Sequence, residues 1–289
     1  MTRLLARAVL LALGLLSCAA LAHAQPGPKG HLVVVGGGGV PDVILQRAIE
    51  LAGGPAAPIV VFPQASELAD TGQVAVEMWT KAGATNVRWL PLTDSAAARQ
   101  AVESAAMIWF PGGDQGKLMK AFEGTAVPEV IARRYRDGAV VGGTSAGAAV
   151  MSAVMLTGDA DLQSITVGAT KTAPGLGLWP EVIVDQHHLK RQRQSRLISL
   201  VLEHPTLIGV GIDERTAAIV SGQRFEIIGE SSVLVIDARR AAIEPRSPGS
   251  HSAARNITVH VLTAGMGMDI GREVGVRDSG PGIHGSQSR

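Results

Sequence analysis

A single serine stands where an apolar run gives way to alanines in "AVVGGTSAGAAVMS", residues 139–152. Within it, Gly143-Thr144-Ser145-Ala146-Gly147 fits the G-x-S-x-G pattern that a nucleophile elbow requires between a buried strand and a helix. Such a turn strains the serine backbone and lifts its hydroxyl above the carboxyl edge of the sheet. Only small neighbours let strand and helix come close enough. A serine so placed can attack a carbonyl, and the N–H of Ala146, at the positive end of the helix, can hold the oxygen of a tetrahedral intermediate. The plain alternative is a glycine-rich turn with an incidental serine, but both glycines, the strand and the helix agree with the nucleophile.

"Phe110-Pro111-Gly112-Gly113-Asp114-Gln115" ends the preceding apolar run, which places it beside the elbow at the same edge. The backbone N–H at Gly113 can supply a second oxyanion donor, and Gln115 can reach a substrate. The same stretch also reads as a tight turn with Asp114 capping a helix, and both readings can hold together.

A serine needs a base. Five histidines follow the elbow ahead of the carboxyl-terminal tail: His187, His188, His204, His251 and His260. His251 lies in a polar loop, His260 on a late strand and His204 before a proline. Asp185-Gln186-His187-His188 instead closes an apolar strand, where site residues collect in open α/β sheets, so one of this pair is the expected base. Adjacent residues of an extended chain point opposite ways, which disfavours a shared metal. No H-E-x-x-H pattern is present, and no metal or other cofactor is expected. Gly211-Ile212-Asp213-Glu214-Arg215-Thr216 follows another apolar strand. A carboxylate there could orient the histidine, or the stretch could be a charged surface turn. Lys190-Arg191-Gln192-Arg193-Gln194-Ser195-Arg196 reads as a solvated helix start, or as guanidinium forks for substrate carboxylates.

The elements that must position these residues alternate. "HLVVVGGGG" reads as a buried strand ending in a glycine turn, with a helix from Pro41 to Gly53-Gly54. "PIVVFP", "NVRWLPL", "AMIWFPGG" and "AVVGGTS" are further strands, separated by helices near 66–82, from Asp94 to Ser104, and ending at Asp137-Gly138. The segment "AGAAVMSAVM" is expected to be helical. This βαβ alternation predicts an α/β fold with a mostly parallel, doubly wound sheet. From about 182 the pattern shifts to one helix, with Leu197, Leu200 and Val201 facing the core, and to the short strands "LIGVGID", "TAAIV", "RFEIIG", "SVLVID" and "NITVHVL". These read as carboxyl-terminal β-hairpins extending or flanking the main sheet. A nucleotide-binding turn at "VVVGGGGV" is the rival from another function class; it lacks the full G-x-G-x-x-G spacing, and no acidic residue ends the second strand.

The 289 residues carry 46% hydrophobic and 18% charged side chains, enough for a large core, and only 3% aromatics, so that core must be aliphatic. Residues 1–24 read as a signal peptide: Arg3 and Arg7, an apolar run too short to span a bilayer, then Ala22-His23-Ala24. Cleavage after Ala24 would leave a periplasmic or secreted protein without an integral membrane span; lipidation of Cys18 is the alternative. The leader contains the chain's only cysteine, so the mature form has no disulfide. The formal charge falls from +1 to −1 when the two leader arginines leave, against nucleic-acid binding. Residues 25–270 form one domain, and the Gly- and Ser-rich tail 271–289 is expected to be disordered.

"PGGDQ", "GGTSAGAAVMS", "DQHHLKRQRQSRL" and "GVGIDERTA", in this order and spacing, resemble the serine peptidase family of cyanophycinase and aspartyl dipeptidase E. The resemblance covers roughly 31–237. It implies a fold similar to the class I glutamine amidotransferase domain, commonly dimeric, and hydrolysis of the aspartyl backbone of cyanophycin or of small aspartyl peptides. It also implies Ser145 as nucleophile, His187 as base and Glu214 as the acid; in the dipeptidase E branch the acid follows the nucleophile, where this chain has Asp159 and Asp161. Gln115, Asp185, Arg191, Arg193 and Arg196 match positions associated with the substrate pocket. Cyanophycinases usually carry Phe after the base. Here His188 stands there, which implies the loss of an apolar ring beside the pocket.

Overall fold

The structure is a computed structural model in which residues 27–271 are described. The leader with Cys18, and all of the tail after Gly271, lie outside the described residues.

In chain order the elements are β1 His31–Val35, α1 Asp42–Leu51, β2 Ile59–Val61, α2 Thr71–Lys81, β3 Val87–Trp89, α3 Ser95–Ser104, β4 Met107–Phe110, α4 Gln115–Phe122, α5 Val127–Asp137, β5 Val140–Thr144 and α6 Ala146–Ala149. Then follow β6 Val154–Leu156, β7 Thr172–Pro174, β8 Val182–Gln186, α7 Gln194–Glu203, β9 Ile208–Ile212, β10 Thr216–Ser221, β11 Arg224–Gly229, β12 Ser232–Asp237, β13 Ala242–Glu244, β14 Ala253–Arg255, β15 Thr258–Thr263 and β16 Gly267–Asp269.

The main sheet runs β16-β11-β10-β1-β5-β4-β2-β3. The five strands β1 to β5 are mutually parallel, whereas β10, β11 and β16 extend the sheet antiparallel beyond β1. Alternation along each strand sorts the core into two layers. Leu32 and Val34 of β1 join Ile108, Phe110 and Val141 on one face, while Val33 and Val35 join Met107, Trp109 and Val140 on the other. Helices α1 and α2 cover the second face through Ile44, Leu45 and Trp79; α3, α4 and α5 cover the first through Val102, Leu118 and Ile131. Both faces of the parallel part are thus closed, the doubly wound α/β arrangement expected from the βαβ alternation.

The late strands split in two. β10 and β11 extend the main sheet, but β8, β9, β12 and β15 form a separate four-stranded sheet in the order β15-β12-β9-β8, with β8 and β9 parallel. Val182, Val184, Val210 and Val235 turn toward the main core, and Ile183 and Ile236 turn toward Leu197, Leu200 and Val201 of α7. This second sheet is therefore sandwiched between the main sheet and α7.

The helix expected over "AGAAVMSAVM" is cut to one turn. Past Ala149 the carbonyls of Val150, Met151 and Ser152 accept from the N–H groups of Leu176, Trp179 and Gly177 at 2.7, 2.8 and 3.2 Å. A neighbouring segment takes the acceptors that helix propagation would use, and tertiary pairing overrides the alanine propensity.

Candidate active site

The parallel strands β1, β4 and β5 all end at one edge of the main sheet, and the loops that follow them face each other. After β5 the chain makes its elbow: Ser145 has φ 56° and ψ −111°, a left-handed conformation that non-glycine residues hold only when their surroundings over-determine it. Here the Ser145 N–H donates to the Val35 carbonyl at 3.0 Å, and the Ser145 carbonyl accepts from Ala148 and Ala149 as α6 begins. A Cβ on Gly143 would enter the Gly147 backbone and one on Gly147 would enter the Phe110 carbonyl, which accounts for both glycines of the motif.

The base comes from the other sheet. His187 leaves the end of β8 with φ 50°, and its N–H donates to the Gly36 carbonyl at 2.7 Å. Its Nε2 lies 2.8 Å from Ser145 Oγ, and its Nδ1 lies 2.7 Å from Glu214 Oε1. With Nδ1 protonated, the serine hydroxyl donates to the imidazole and the imidazole donates to the carboxylate. Glu214 follows the end of β9. Asp161 is engaged instead with the Gln163 N–H and the Ser164 hydroxyl, and the Nδ1 of His187 is held by Glu214. Burial pushes the His187 imidazole down, the hydrogen bond it donates to Glu214 pulls it up, and the Arg191 and Arg193 charges push it down again. The net result lies below the ordinary histidine value, so the ring is neutral at pH 7 and able to accept a proton.

Both residues rest on the loop after β1. A Cβ on Gly37 would enter the His187 ring, and one on Gly38 would press on Glu214 Cβ at 2.6 Å. The glycine run is a flat shelf for the imidazole and carboxylate. The sequence reads this run as a strand-ending turn, with a nucleotide-binding turn as the rival; the signal for a shelf is four consecutive glycines at a strand's carboxyl end, a mark of close approach. In the loop after β4, Gly112 lies close enough that its Cβ would stand 3.4 Å from Ser145 Cβ. Gly113 is exposed, with φ 143°, packed under the Ala65 carbonyl. Ala146 opens α6, so its N–H has no acceptor within the helix.

The pocket residues divide. Arg191 is exposed and Arg193 half-buried beside the triad. Arg193 donates to the Gln186 carbonyl and to Gln186 Oε1, both at 2.7 Å; burial and the neighbouring Arg196 charge push its guanidinium down to about 10. Asp185 and Arg196 do not reach the pocket surface. They are 0% and 2% exposed, paired with each other in the interior, and Asp185 Oδ2 also accepts from His188 Nδ1 at 3.1 Å. Burial alone would raise the Asp185 carboxyl, but hydrogen bonds from His188 and Arg196 outweigh it and hold the group below its usual range. Gln115 is likewise buried, its amide nitrogen donating to the Leu156 carbonyl at 2.8 Å, so it fastens α4 to β6. His188 is fully buried, its ring laid flat on Gly211. Its departure from Phe therefore alters the interior and not the pocket wall. Asp114 caps α4, accepting from Gly116 at 2.7 Å and Lys117 at 3.2 Å.

Among the described residues no group of three His, Cys, Asp or Glu is placed to hold a metal, and no helix is long and apolar enough to cross a membrane. A serine, a neutral imidazole and a carboxylate in hydrogen-bonded sequence can perform acyl transfer from an amide or ester.

Comparison with known proteins agrees with this chemistry. The family model for peptidase family S51 matches residues 32–228. Cyanophycinase from Geminocystis herdmanii is 35% identical over 77% of this chain and 86% of its own length. Cyanophycinase from Synechococcus elongatus is 32% identical over 84% of this chain and 80% of its own. The crystal structure of a peptidase from an acI-B1 actinobacterium superposes with a TM-score of 0.62 at 22% identity, covering 83% of this chain and 97% of that one, and supports the fold.

Proposed function

The chain belongs to peptidase family S51, and on that premise we propose that Ser145, His187 and Glu214 are its catalytic residues and that it hydrolyses the aspartyl backbone of cyanophycin to β-aspartyl-arginine dipeptides. Family membership makes it a serine-type peptidase of the cyanophycinase kind. The observation that carries the residue assignment is the unbroken line from hydroxyl through imidazole to carboxylate, at 2.8 and 2.7 Å.

In this reading Ser145 Oγ attacks the scissile carbonyl while His187 Nε2 takes the hydroxyl proton. Glu214 holds the ring and stabilises the imidazolium. The oxyanion is met by the N–H groups of Gly113 and Ala146. Collapse breaks the C–N bond, the leaving amine takes the proton from His187, and an ester remains on Ser145. A water deprotonated by the same imidazole then cleaves the ester and restores the serine. Arg191 and Arg193 supply the positive charge for a substrate carboxylate.

Incubating residues 25–289 with cyanophycin and following dipeptide release tests the substrate. No release by the wild type removes the polymer; cleavage of small α- or β-aspartyl peptides alone establishes the exopeptidase reading; unchanged release by Ser145→Ala removes the nucleophile. Labelling by a serine-directed phosphonate separates a live enzyme from an inactive peptide-binding relative. The leader supports export with cleavage after Ala24, which suits scavenging of polymer from lysed cells. Amino-terminal sequencing of the exported protein decides between that site and a lipidated Cys18, and light scattering tests the homodimer.

A further inference from the structure

The base and the acid belong to different loops, and something must fix one against the other. His187 sits in the loop after β8, in left-handed backbone geometry, and Glu214 in the loop after β9. β8 and β9 pair in parallel up to Gln186↔Ile212, and the His188 N–H continues the ladder to the Ile212 carbonyl at 3.2 Å. Beyond that rung the two loops have no further strand pairing.

Asp213 bridges the gap. One of its oxygens, Oδ1, accepts from the N–H of Leu189 at 3.1 Å and of Lys190 at 2.9 Å, the two residues that follow the histidine pair. The other, Oδ2, accepts from the Ser231 hydroxyl at 2.7 Å, and the Asp213 N–H donates to the Ser232 carbonyl at 3.2 Å. The Ser231 N–H is in turn held by Thr216 Oγ1 at 2.8 Å. The Asp213 backbone also packs against Gly36 of the glycine shelf, where a Cβ would overlap the Asp213 carbonyl. The residue is 9% exposed, and its carboxylate makes no hydrogen bond to the side chain of Ser145, His187 or Glu214. It touches nothing that reacts.

We propose that Asp213 is a positioning residue, whose carboxylate clamps the loop bearing His187 to the loop bearing Glu214 and so sets the hydrogen bond between them. This rests on the catalytic reading of Ser145, His187 and Glu214. An ionised clamp is what the surroundings favour: burial pushes the Asp213 carboxyl up, but the Lys190 N–H, the Ser231 hydroxyl and the N–H groups of Glu214 and Leu189 hold it below the usual range. The charged groups facing His187 are Glu214 from the β9 loop and Arg191 and Arg193 from its own loop; the Gly36–Gly39 shelf and the elbow add none. Because the Glu214 bond raises the His187 imidazole while burial and the arginines lower it, a loosened clamp must let the imidazole fall further.

Three variants test this by the acid limb of kcat/KM and by an NMR titration of the His187 ring, which needs no substrate. Asp213→Ala removes all three side-chain bonds. It should lower kcat roughly 10- to 100-fold with KM little changed, and move both the acid limb and the ring titration to lower pH. Asp213→Asn keeps an acceptor for both N–H groups and a donor for Ser231, and should restore kcat to within about threefold. Ser231→Ala frees only Oδ2; it should move the titration in the same direction by less, and it decides the matter if Asp213→Ala does not fold. A wild-type titration in Asp213→Ala, or in Ser231→Ala where that variant decides, would overturn the clamp. So would lost activity that follows the folded fraction alone. Ser145→Ala, assayed alongside, keeps the two readings apart: an inactive Ser145→Ala with an unperturbed Asp213→Ala removes the clamp only, whereas an active Ser145→Ala removes the catalytic assignment beneath it.

Discussion

Two consecutive histidines make the same first contact and end in opposite circumstances. His187 Nδ1 meets Glu214 at 2.7 Å, and His188 Nδ1 meets Asp185 at 3.1 Å, so each is an imidazole paired with a carboxylate. The left-handed backbone of His187, φ 50°, turns the chain between them and sends the two rings apart. His187 lies over the glycine shelf with Nε2 on the Ser145 hydroxyl. His188 turns into the second sheet, 0% exposed, where its Nε2 has no hydrogen-bond partner. The difference teaches that a His–carboxylate pair is not in itself a catalytic device. Chemistry begins when the second nitrogen faces a nucleophile that a substrate can reach.

The comparison breaks most visibly on activity. Ser145→Ala or His187→Ala should lower kcat by about 10,000-fold or more, since members of such a unit act together. His188→Ala should instead cost about 2–4 kcal/mol of stability, from the cavity and from the lost hydrogen bond to a buried carboxylate, while turnover per folded molecule stays within about tenfold. Assays normalised to active-site titration, beside urea melts, measure both. Loss of turnover in a folded His188→Ala protein would make the inner pair part of the machinery.

The inner pair carries its own test. Arg196→Met leaves Asp185 buried with only a histidine beside it, and removal of one partner of a buried ion pair costs about 3–5 kcal/mol. The sign with pH follows from the carboxyl held below its usual value. The wild type's Asp185 contribution is present above the unfolded carboxylate pKa of about 4 and fades as pH falls through the lowered folded value. Equilibrium unfolding of Arg196→Met at pH 7 should show the loss. A variant as stable as wild type would mean that Asp185 is satisfied without the guanidinium.

How much of this could be read beforehand depends on what each residue's role requires locally. The elbow was legible because strained turns need particular small residues at fixed offsets, and the apolar runs of β1, β4 and β5 because strands buried on both faces carry no polar alternation. Ser145 could be named from its motif, whereas the choice of His187 over His188 and of Glu214 as the acid came only from the family resemblance; the three lie in hydrogen-bonded series. The partition of β8 and β9 into a second sheet was not legible: a five-residue apolar run fits either sheet, and only packing against α7 and the main core decides. The length of α6 failed for a related reason, since the competing N–H donors come from residues 176–179. Asp185 and Arg196 misled because a run of arginines reads as surface, whereas the interior accepts a guanidinium that meets a carboxylate, as in this pair. Asp213 and Glu214 are indistinguishable by type; which of them faces the imidazole is a matter of one residue's rotation at the strand end.

The glycine shelf sharpens the contrast at intermediate size. His187 needs a flat floor and His188 has its own in Gly211, so alanine at each should affect different properties. Gly37→Ala combines φ 103° with a methyl inside the His187 ring and should displace the imidazole, lowering kcat/KM roughly 10- to 100-fold. Gly211→Ala should chiefly lower the melting temperature. Equal losses of activity in the two variants would remove the distinction between the histidines.

The smallest effect isolates electrostatics. Arg191 is exposed, and its charge pushes the His187 imidazole down, against the upward pull of Glu214. Replacing it by glutamine should therefore raise the acid limb of kcat/KM by a few tenths of a pH unit at low salt, because one screened surface charge is worth little. In roughly 1 M salt, where the screening length is about 3 Å, the acid-limb midpoints of wild type and Arg191→Gln should coincide, whatever the lost substrate contact does to the height of the profile. A shift of the midpoint that persists at high salt would mean that Arg191 acts on the ring through contact rather than through its field, and the outer pair would then be as insulated as the inner one.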